Sequence, residues 1–258
     1  HFMEYIIIAL AAFFAGMVNS IAGGGTMLTF PALLLVGVEP KSANIISTLS
    51  LLLGFGGSFY GYRETLPLVK KWVKYFLPAS LLGGIAGGIL LIQTPASIFT
   101  PLVPWLLLLA TLLFMLQEPL NKWISHPHAH LDHSKSGIWI MTAVGFQFII
   151  ALYGGYFGAG IGILMLASFG VLGFKNIHEM NTLKGVLGFA INIAAAAYFV
   201  FYGTVDWPKV LVMGCAALIG GYIGADLALK ASQVYVRRGI IVVGLLICSI
   251  LLYRQYFK

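Results

Sequence analysis

Stretch after stretch of about twenty apolar residues runs through this chain, and that spacing leaves few folds open. Long runs cover 4–22, 43–62, 72–92, 96–116, 138–157, 185–203, 208–229 and 237–253, with shorter ones at 26–37 and 163–173. A helix rises 1.5 Å per residue, so about twenty residues cross the roughly 30 Å hydrocarbon core of a bilayer. Of the 258 residues, 60% are hydrophobic and 9% are charged. The surface of a soluble domain takes roughly 25–35% charged residues. The chain therefore reads as an all-α polytopic membrane protein with the lipid bilayer as its first partner. The first run continues into further membrane segments, so it reads as a span and not as a cleaved leader. His1 and Phe2 precede Met3 and look like the remnant of a tag.

The formal net charge of +7 does not point to nucleic acid. The basic residues sit in short links between apolar stretches, where they orient membrane helices. Cys215 and Cys248 lie inside apolar runs and read as small apolar filler. The breaks between runs carry turn signals at Glu39-Pro40, Pro67, Thr94-Pro95, Glu118-Pro119 and Trp207-Pro208.

The two halves resemble each other at an offset of about 137 residues. Ala22-Gly23-x-Gly25 matches Ala159-Gly160-x-Gly162, and Asn44 matches Asn181. Gly83-Gly84 and Gly87 match Gly220-Gly221 and Gly224, and Tyr60-Gly61 matches Tyr202-Gly203 with a small insertion. We read 3–117 as a first repeat, 118–136 as a cytoplasmic link and 137–258 as a second repeat. Taken as one helix, 4–37 would be about 50 Å long, too long for one crossing. A hairpin turning at the glycines enters and leaves on the same side. Each repeat is then a broken helical hairpin plus three transmembrane helices, an odd number of crossings, so the repeats are expected to be inverted. This arrangement leaves Lys41, Lys209, Arg254 and Lys258 on one side and the other eleven of the fifteen Lys and Arg residues opposite. The positive-inside rule then puts both termini outside a plasma membrane.

The two glycine breaks, Asn19-Ser20-Ile21-Ala22-Gly23-Gly24-Gly25-Thr26 and Tyr156-Phe157-Gly158-Ala159-Gly160-Ile161-Gly162, are the most informative segments. Glycine disfavours helix by about 1 kcal/mol relative to alanine. Open backbone in lipid is tolerated where it is buried in protein or lines a polar cavity. Each break creates a helix N-terminus near Thr26 or Ile163, with amide groups and the positive end of the dipole. Without Cβ atoms a ligand can approach the backbone. Two such N-termini related by pseudo-symmetry form a candidate anion site, against the plainer reading of close helix packing through small residues.

Polar residues at the start of the next spans extend the candidate: Asn44, Ser47, Thr48 and Ser50 in one half, Asn181, Thr182, Lys184 and Asn192 in the other. An intramembrane lysine is costly unless it faces water, a partner or a ligand. Lys184 either faces the breaks or snorkels from a helix end. Gln147 and Tyr153 read as packing, and Asp226 with Lys230 as a local pair. Glu39 and Asp206 read as solvated. His126, His128, His130 and His133 with Asp132 lie in the longest polar link and read as a solvated loop, so no metal and no cofactor are expected.

The stretch Gly16-Met17-Val18-Asn19-Ser20-Ile21-Ala22-Gly23-Gly24-Gly25-Thr26-Met27-Leu28-Thr29-Phe30-Pro31 resembles the first-repeat signature of the sulfite exporter TauE/SafE family. The second-repeat signature resembles Tyr156 to Gly162, followed by Asn181-Thr182-Leu183-Lys184 and Gly203-Thr204-Val205-Asp206-Trp207. The resemblance implies a permease for sulfur-containing anions such as sulfite, sulfoacetate and related sulfonates in a bacterial plasma membrane. The two glycine breaks and Asn181 to Lys184 match family positions; with the polar residues above, Asn19, Gly23, Gly24, Gly25, Thr26, Asn44, Tyr156, Gly158, Gly160, Gly162, Asn181 and Lys184 are the candidate substrate contacts. The first repeat departs: Ala43-Asn44-Ile45-Ile46-Ser47-Thr48 carries no lysine where many members place one. Alternating-access transport is the expected function, with an anion channel as the alternative. An enzyme would need a nucleophile, metal ligands or paired carboxylates within the membrane, and the sequence offers only lone candidates.

Overall fold

The computed structural model describes residues 2–21, 24–54, 66–125, 137–174, 176–228 and 233–256. These form helices and no strand: α1 (Phe2–Ile21), α2 (Thr26–Leu35), α3 (Pro40–Gly54), α4 (Leu66–Gln93), α5 (Ala96–Ser125), α6 (Gly137–Tyr156), α7 (Ile161–Val171), α8 (Ile177–Tyr202), α9 (Trp207–Ala228) and α10 (Gln233–Tyr256). Among the described residues, seven helices are long and apolar enough to cross a bilayer: α1, α4, α5, α6, α8, α9 and α10. The short α2 and α7 follow the two glycine breaks, as the sequence predicts. Large apolar side chains such as Leu10, Phe14, Phe201, Leu218 and Tyr222 remain exposed on the outer faces, where hydrocarbon takes the place of a core.

The helices pair by exchange between the halves. α1 lies along α9 and α6 lies along α4. α3 packs on α9 and α8 packs on α4, while α5 and α10 pack on each other. The repeated glycines make these contacts close. A Cβ at Gly220 would stand 1.9 Å from the Phe13 carbonyl oxygen, and one at Gly16 2.1 Å from that of Ala217. On the other side, a Cβ at Gly87 would stand 2.2 Å from the Leu152 oxygen, and one at Gly155 2.2 Å from that of Gly84. Backbone thus meets backbone at both junctions, the small-residue packing that helices in lipid favour.

Of the boundaries that differ from the sequence reading, two bear on the site. α8 begins at Ile177 and not at 185. The Asn176 side chain accepts from the amides of His178 and Glu179 at 3.0 and 3.5 Å and donates to Glu179 Oε1 at 3.1 Å. This reciprocal cap starts the helix two turns earlier. α5 continues through Pro119 to Ser125, so the first part of the expected link at 118–136 is helical. Glu118 holds this extension: it pairs with Lys122 at 3.2 Å and with Arg237 on α10 at 2.6 Å. At the start of α3, Lys41 donates to the carbonyls of Ile92 and Thr94 at 2.6 and 2.9 Å, a cation on the C-terminal end of α4. Ala22, Gly23, Tyr60, Gly61, Arg63, the histidine-bearing segment, Lys135, Lys175 and Lys230 lie outside the described residues.

Candidate functional site

At the first break the chain folds back on α1. The Gly25 amide donates to Asn19 Oδ1 at 2.7 Å, and a Cβ at Gly25 would stand 2.9 Å from the Ala15 carbonyl oxygen. A continuous helix would separate residues 15 and 25 by about 15 Å. Gly24 takes φ +99° beneath the Phe114 ring, a conformation that favours glycine. At the second break the amides of Phe157 and Gly158 both bond the Tyr153 carbonyl, at 2.9 and 3.3 Å. Gly158 and Gly160 each take φ +79°. The Tyr153 hydroxyl donates to the Ala159 carbonyl at 2.7 Å and fixes the turn.

The two breaks are neighbours. Phe30 of α2 meets Phe157 edge to face, with ring centroids 5.3 Å apart. Asn44 Nδ2 of α3 donates to the Tyr156 carbonyl at 2.8 Å, satisfying one of the carbonyls that the end of α6 leaves open. Between the breaks lies a cavity of about 120 Å³, roughly ten times the space that admits one water. Asn19, Gly24 and Thr26 line it from the first break, and Gly158, Gly160 and Gly162 from the second. Lys184 and Asn192 of α8, Thr48 of α3 and Gln117 of α5 add polar wall, and Phe114, Leu51, Ile163 and Met165 add apolar wall.

Lys184 is the one charged residue lining this cavity among the described residues. Its Nζ donates to Asn181 Oδ1 at 2.9 Å. Its stem runs over Gly162, where a Cβ would come within 3.2 Å of Lys184 Cδ. The early start of α8 puts this lysine two turns inside the helix and not at its end. The site is also less symmetric than the sequence suggests. Asn19 occupies the Gly25 amide, whereas the matching Gly162 amide makes no hydrogen bond among the described residues. At the position matching Lys184, Ser47 shares a 2.6 Å hydrogen bond with Thr29, buried.

Seven of the sequence-predicted residues therefore meet at one cavity: Asn19, Gly24, Thr26, Gly158, Gly160, Gly162 and Lys184. Asn44, Tyr156, Gly25 and Asn181 do not line it. The Tyr156 ring packs on Phe99 at 5.7 Å, Gly25 faces Asn19, Asn181 stands behind Lys184, and Asn44 braces the second break. Gly23 lies outside the described residues. Gln147 is a packing residue, donating to Ser80 Oγ at 2.9 Å.

Residues 8–251 match the sulfite exporter TauE/SafE family. The chain belongs to that family. Among its relatives is a Sinorhizobium sp. protein named "Probable membrane transporter protein ORF9", 28% identical over 95% of this chain and 90% of its own length. A Haemophilus influenzae protein named "Probable membrane transporter protein" is 27% identical over 96% of this chain and 94% of its own. The Escherichia coli protein named "Probable membrane transporter protein YfcA" is 26% identical over 97% and 90%. No solved structure matches the chain.

For this TauE/SafE chain, sequence reasoning missed the wall contributed by α5. Phe114 and Gln117 lie outside both hairpins and both flanking polar clusters, and Gln117 sits where the apolar run ends and a link was expected. Thr48 and Asn192 were legible as intramembrane polar residues. The cavity wall offers side-chain amide and hydroxyl donors, the Gly162 amide and one lysine. Its described lining carries no carboxylate, thiol or imidazole.

Proposed function

We propose that this TauE/SafE-family membrane transporter carries a small organosulfur or sulfur oxyanion, such as sulfite, sulfoacetate or a related sulfonate, by alternating access. One observation carries the reading: both helix breaks open onto a single cavity whose charged wall is Lys184. A helix N-terminus with an open amide attracts negative charge, and an adjacent ammonium adds to it. The anion comes from the site, and the sulfur comes from the family. The exchanged pairing of α1 with α9 and α6 with α4 is what a pseudo-two-fold relation between repeats would produce. Inverted repeats place such a site near the bilayer midplane and let one half rock against the other.

On this reading both termini lie on the extracytoplasmic side of a bacterial plasma membrane. Lys41 and Lys209, on the sparsely basic side, are held locally by the α4 carbonyls and by Asp206. Lys70, Lys71 and Lys74, on the basic side, are exposed. Proteoliposomes loaded with unlabelled sulfoacetate test the function. A carrier gives saturable uptake and transient accumulation of labelled sulfoacetate by counterflow. Flux that neither saturates nor shows counterflow would replace the carrier with a channel. A melting-temperature screen of sulfite, sulfoacetate, taurine, thiosulfate and sulfate ranks the ligands, because whatever binds the native state raises its melting point.

A further inference from the structure

We propose that Lys184 takes up a proton together with the anion, so that the proton is a co-substrate of this cavity. The inference rests on the transport reading above and adds the coupling ion to it. An ammonium inside a membrane protein is costly without a counter-charge. The polar partner of Lys184 is the amide oxygen of Asn181, 2.9 Å from Nζ. An amide oxygen accepts from an ammonium and, more weakly, from a neutral amine. The empty site can therefore keep this hydrogen bond with Lys184 neutral.

Among the described residues, the surrounding elements supply no counter-charge. α7 carries no titratable residue. On α8, Glu179 is bound to Asn176 at the helix start, in the same turn as His178. On α5, Glu118 is paired with Lys122 and Arg237. On α6, the Tyr153 hydroxyl bonds the Ala159 carbonyl and Tyr156 packs on Phe99. On α3, Lys41 caps α4, and on α4, Lys70, Lys71, Lys74 and Tyr75 are exposed. On α1, Glu4 and Tyr5 belong to the first turns, with Lys209 over the Tyr5 ring. The incoming anion is then the partner that makes the ammonium favourable.

The proton passes from water on the loading side to Nζ as the anion arrives. On the far side the anion leaves to water and the proton follows it from Nζ. One lysine gives one proton per cycle, because the matching position in the first half is Ser47, committed to Thr29. A monoanion would cross as a neutral load, and the empty carrier would return uncharged.

Isethionate is the probe, because its sulfonate remains a monoanion throughout the neutral and alkaline range and cannot carry the proton itself. Its dissociation constant for the detergent-solubilised wild type should rise with pH, approaching about tenfold per pH unit in the alkaline arm. In proteoliposomes held at zero membrane potential, an inside-alkaline gradient should drive isethionate uptake. Lys184→Arg should flatten the alkaline arm and abolish the response to the gradient, since a guanidinium does not release its proton. Lys184→Met, which keeps the length of the chain, should lose the alkaline arm together with much of the affinity. A pH-independent wild-type affinity overturns the coupling and leaves transport standing. So does saturable flux that follows membrane potential and ignores the proton gradient. Absence of saturable flux for both isethionate and sulfoacetate overturns the transport reading, and the coupling falls with it.

Discussion

Adding one methyl group at Gly160 and one at Gly162 should separate the folding of the second break from its ligand chemistry. Gly160 has φ +79°, and its new Cβ would stand 3.1 Å from Leu113 Cδ1. An L-residue held in that left-handed region costs roughly 1–2 kcal/mol. For a chain of this size about 1 kcal/mol shifts melting by roughly 2–4 °C, so Gly160→Ala should melt roughly 2–8 °C lower. Gly162 sits at the start of α7 with ordinary φ, and its Cβ would meet only the flexible Lys184 stem, at 3.2 Å from Cδ. Its ligand-free melting should stay within about a degree or rise, since alanine favours helix over glycine. Its ligand response should collapse, because the methyl group covers the open amide and displaces the lysine. A hydrogen bond to a charged group contributes about 1.5–3 kcal/mol, which corresponds to roughly ten- to a hundredfold in affinity. Melting curves of both variants with and without saturating sulfoacetate decide it. If Gly162→Ala loses ligand-free stability like Gly160→Ala and keeps the full ligand-induced rise, then Gly162 is a packing glycine and the site has been misread.

The helix junctions, the brace and the membrane edge can be probed in the same way. Gly220→Leu would drive a side chain into the Phe13 carbonyl and part α1 from α9, so folded yield by size-exclusion profile should fall sharply; Gly239→Leu, where an added Cβ meets nothing within 4 Å, is the matched control. Asn44→Ala removes the 2.8 Å bond to the Tyr156 carbonyl and leaves that carbonyl unpaired, a loss of about 1–3 kcal/mol that should appear as a lower melting point without ligand. Partial burial pushes the Asp206 carboxyl up, but the hydrogen bonds and charge of Lys209 outweigh it and hold the group below its ordinary value. Its stabilisation is therefore fully present above the unfolded value of about 3.9 and is lost as pH falls through the lower folded value. Wild-type melting should decline more steeply across that acid range than melting of Asp206→Asn, and parallel declines would count against the Lys209 pair.

Much of the scaffold was legible because membrane helices announce themselves by length and composition, and the glycine breaks announce where they stop. Gly83, Gly84, Gly87, Gly220 and Gly224, legible as a repeated pattern, turn out to be contacts because small residues let helix backbones approach closely. What escaped had local causes that outweigh bulk hydropathy. The polar first turns of α8 look like a loop, yet Asn176-x-x-Glu179 is a capping signal that moves the helix start and buries Lys184 in the bundle. Glu118-Pro119 looks like a stop, yet the ion pairs of Glu118 with Lys122 and Arg237 sustain α5 beyond it. The cavity wall from Phe114 and Gln117 could not be read from spacing, because it depends on which helix the fold sets across the two hairpins.

At this cavity the matching positions of the two halves do different things. A symmetric pair of breaks with a lysine in each half would hold two cations in one small cavity, and their repulsion would have to be met by a multiply charged ligand. In this chain the first half spends its equivalents on structure: Asn19 ties down the Gly25 amide, and Ser47 ties α3 to Thr29. The second half leaves Gly162 and Lys184 open to the cavity. The first hairpin thus becomes a wall held by its own hydrogen bonds, and the second presents the charge. A cavity built this way presents one lysine, and placing a second at position 47 would have to break the Thr29 hydrogen bond before it could add another cation.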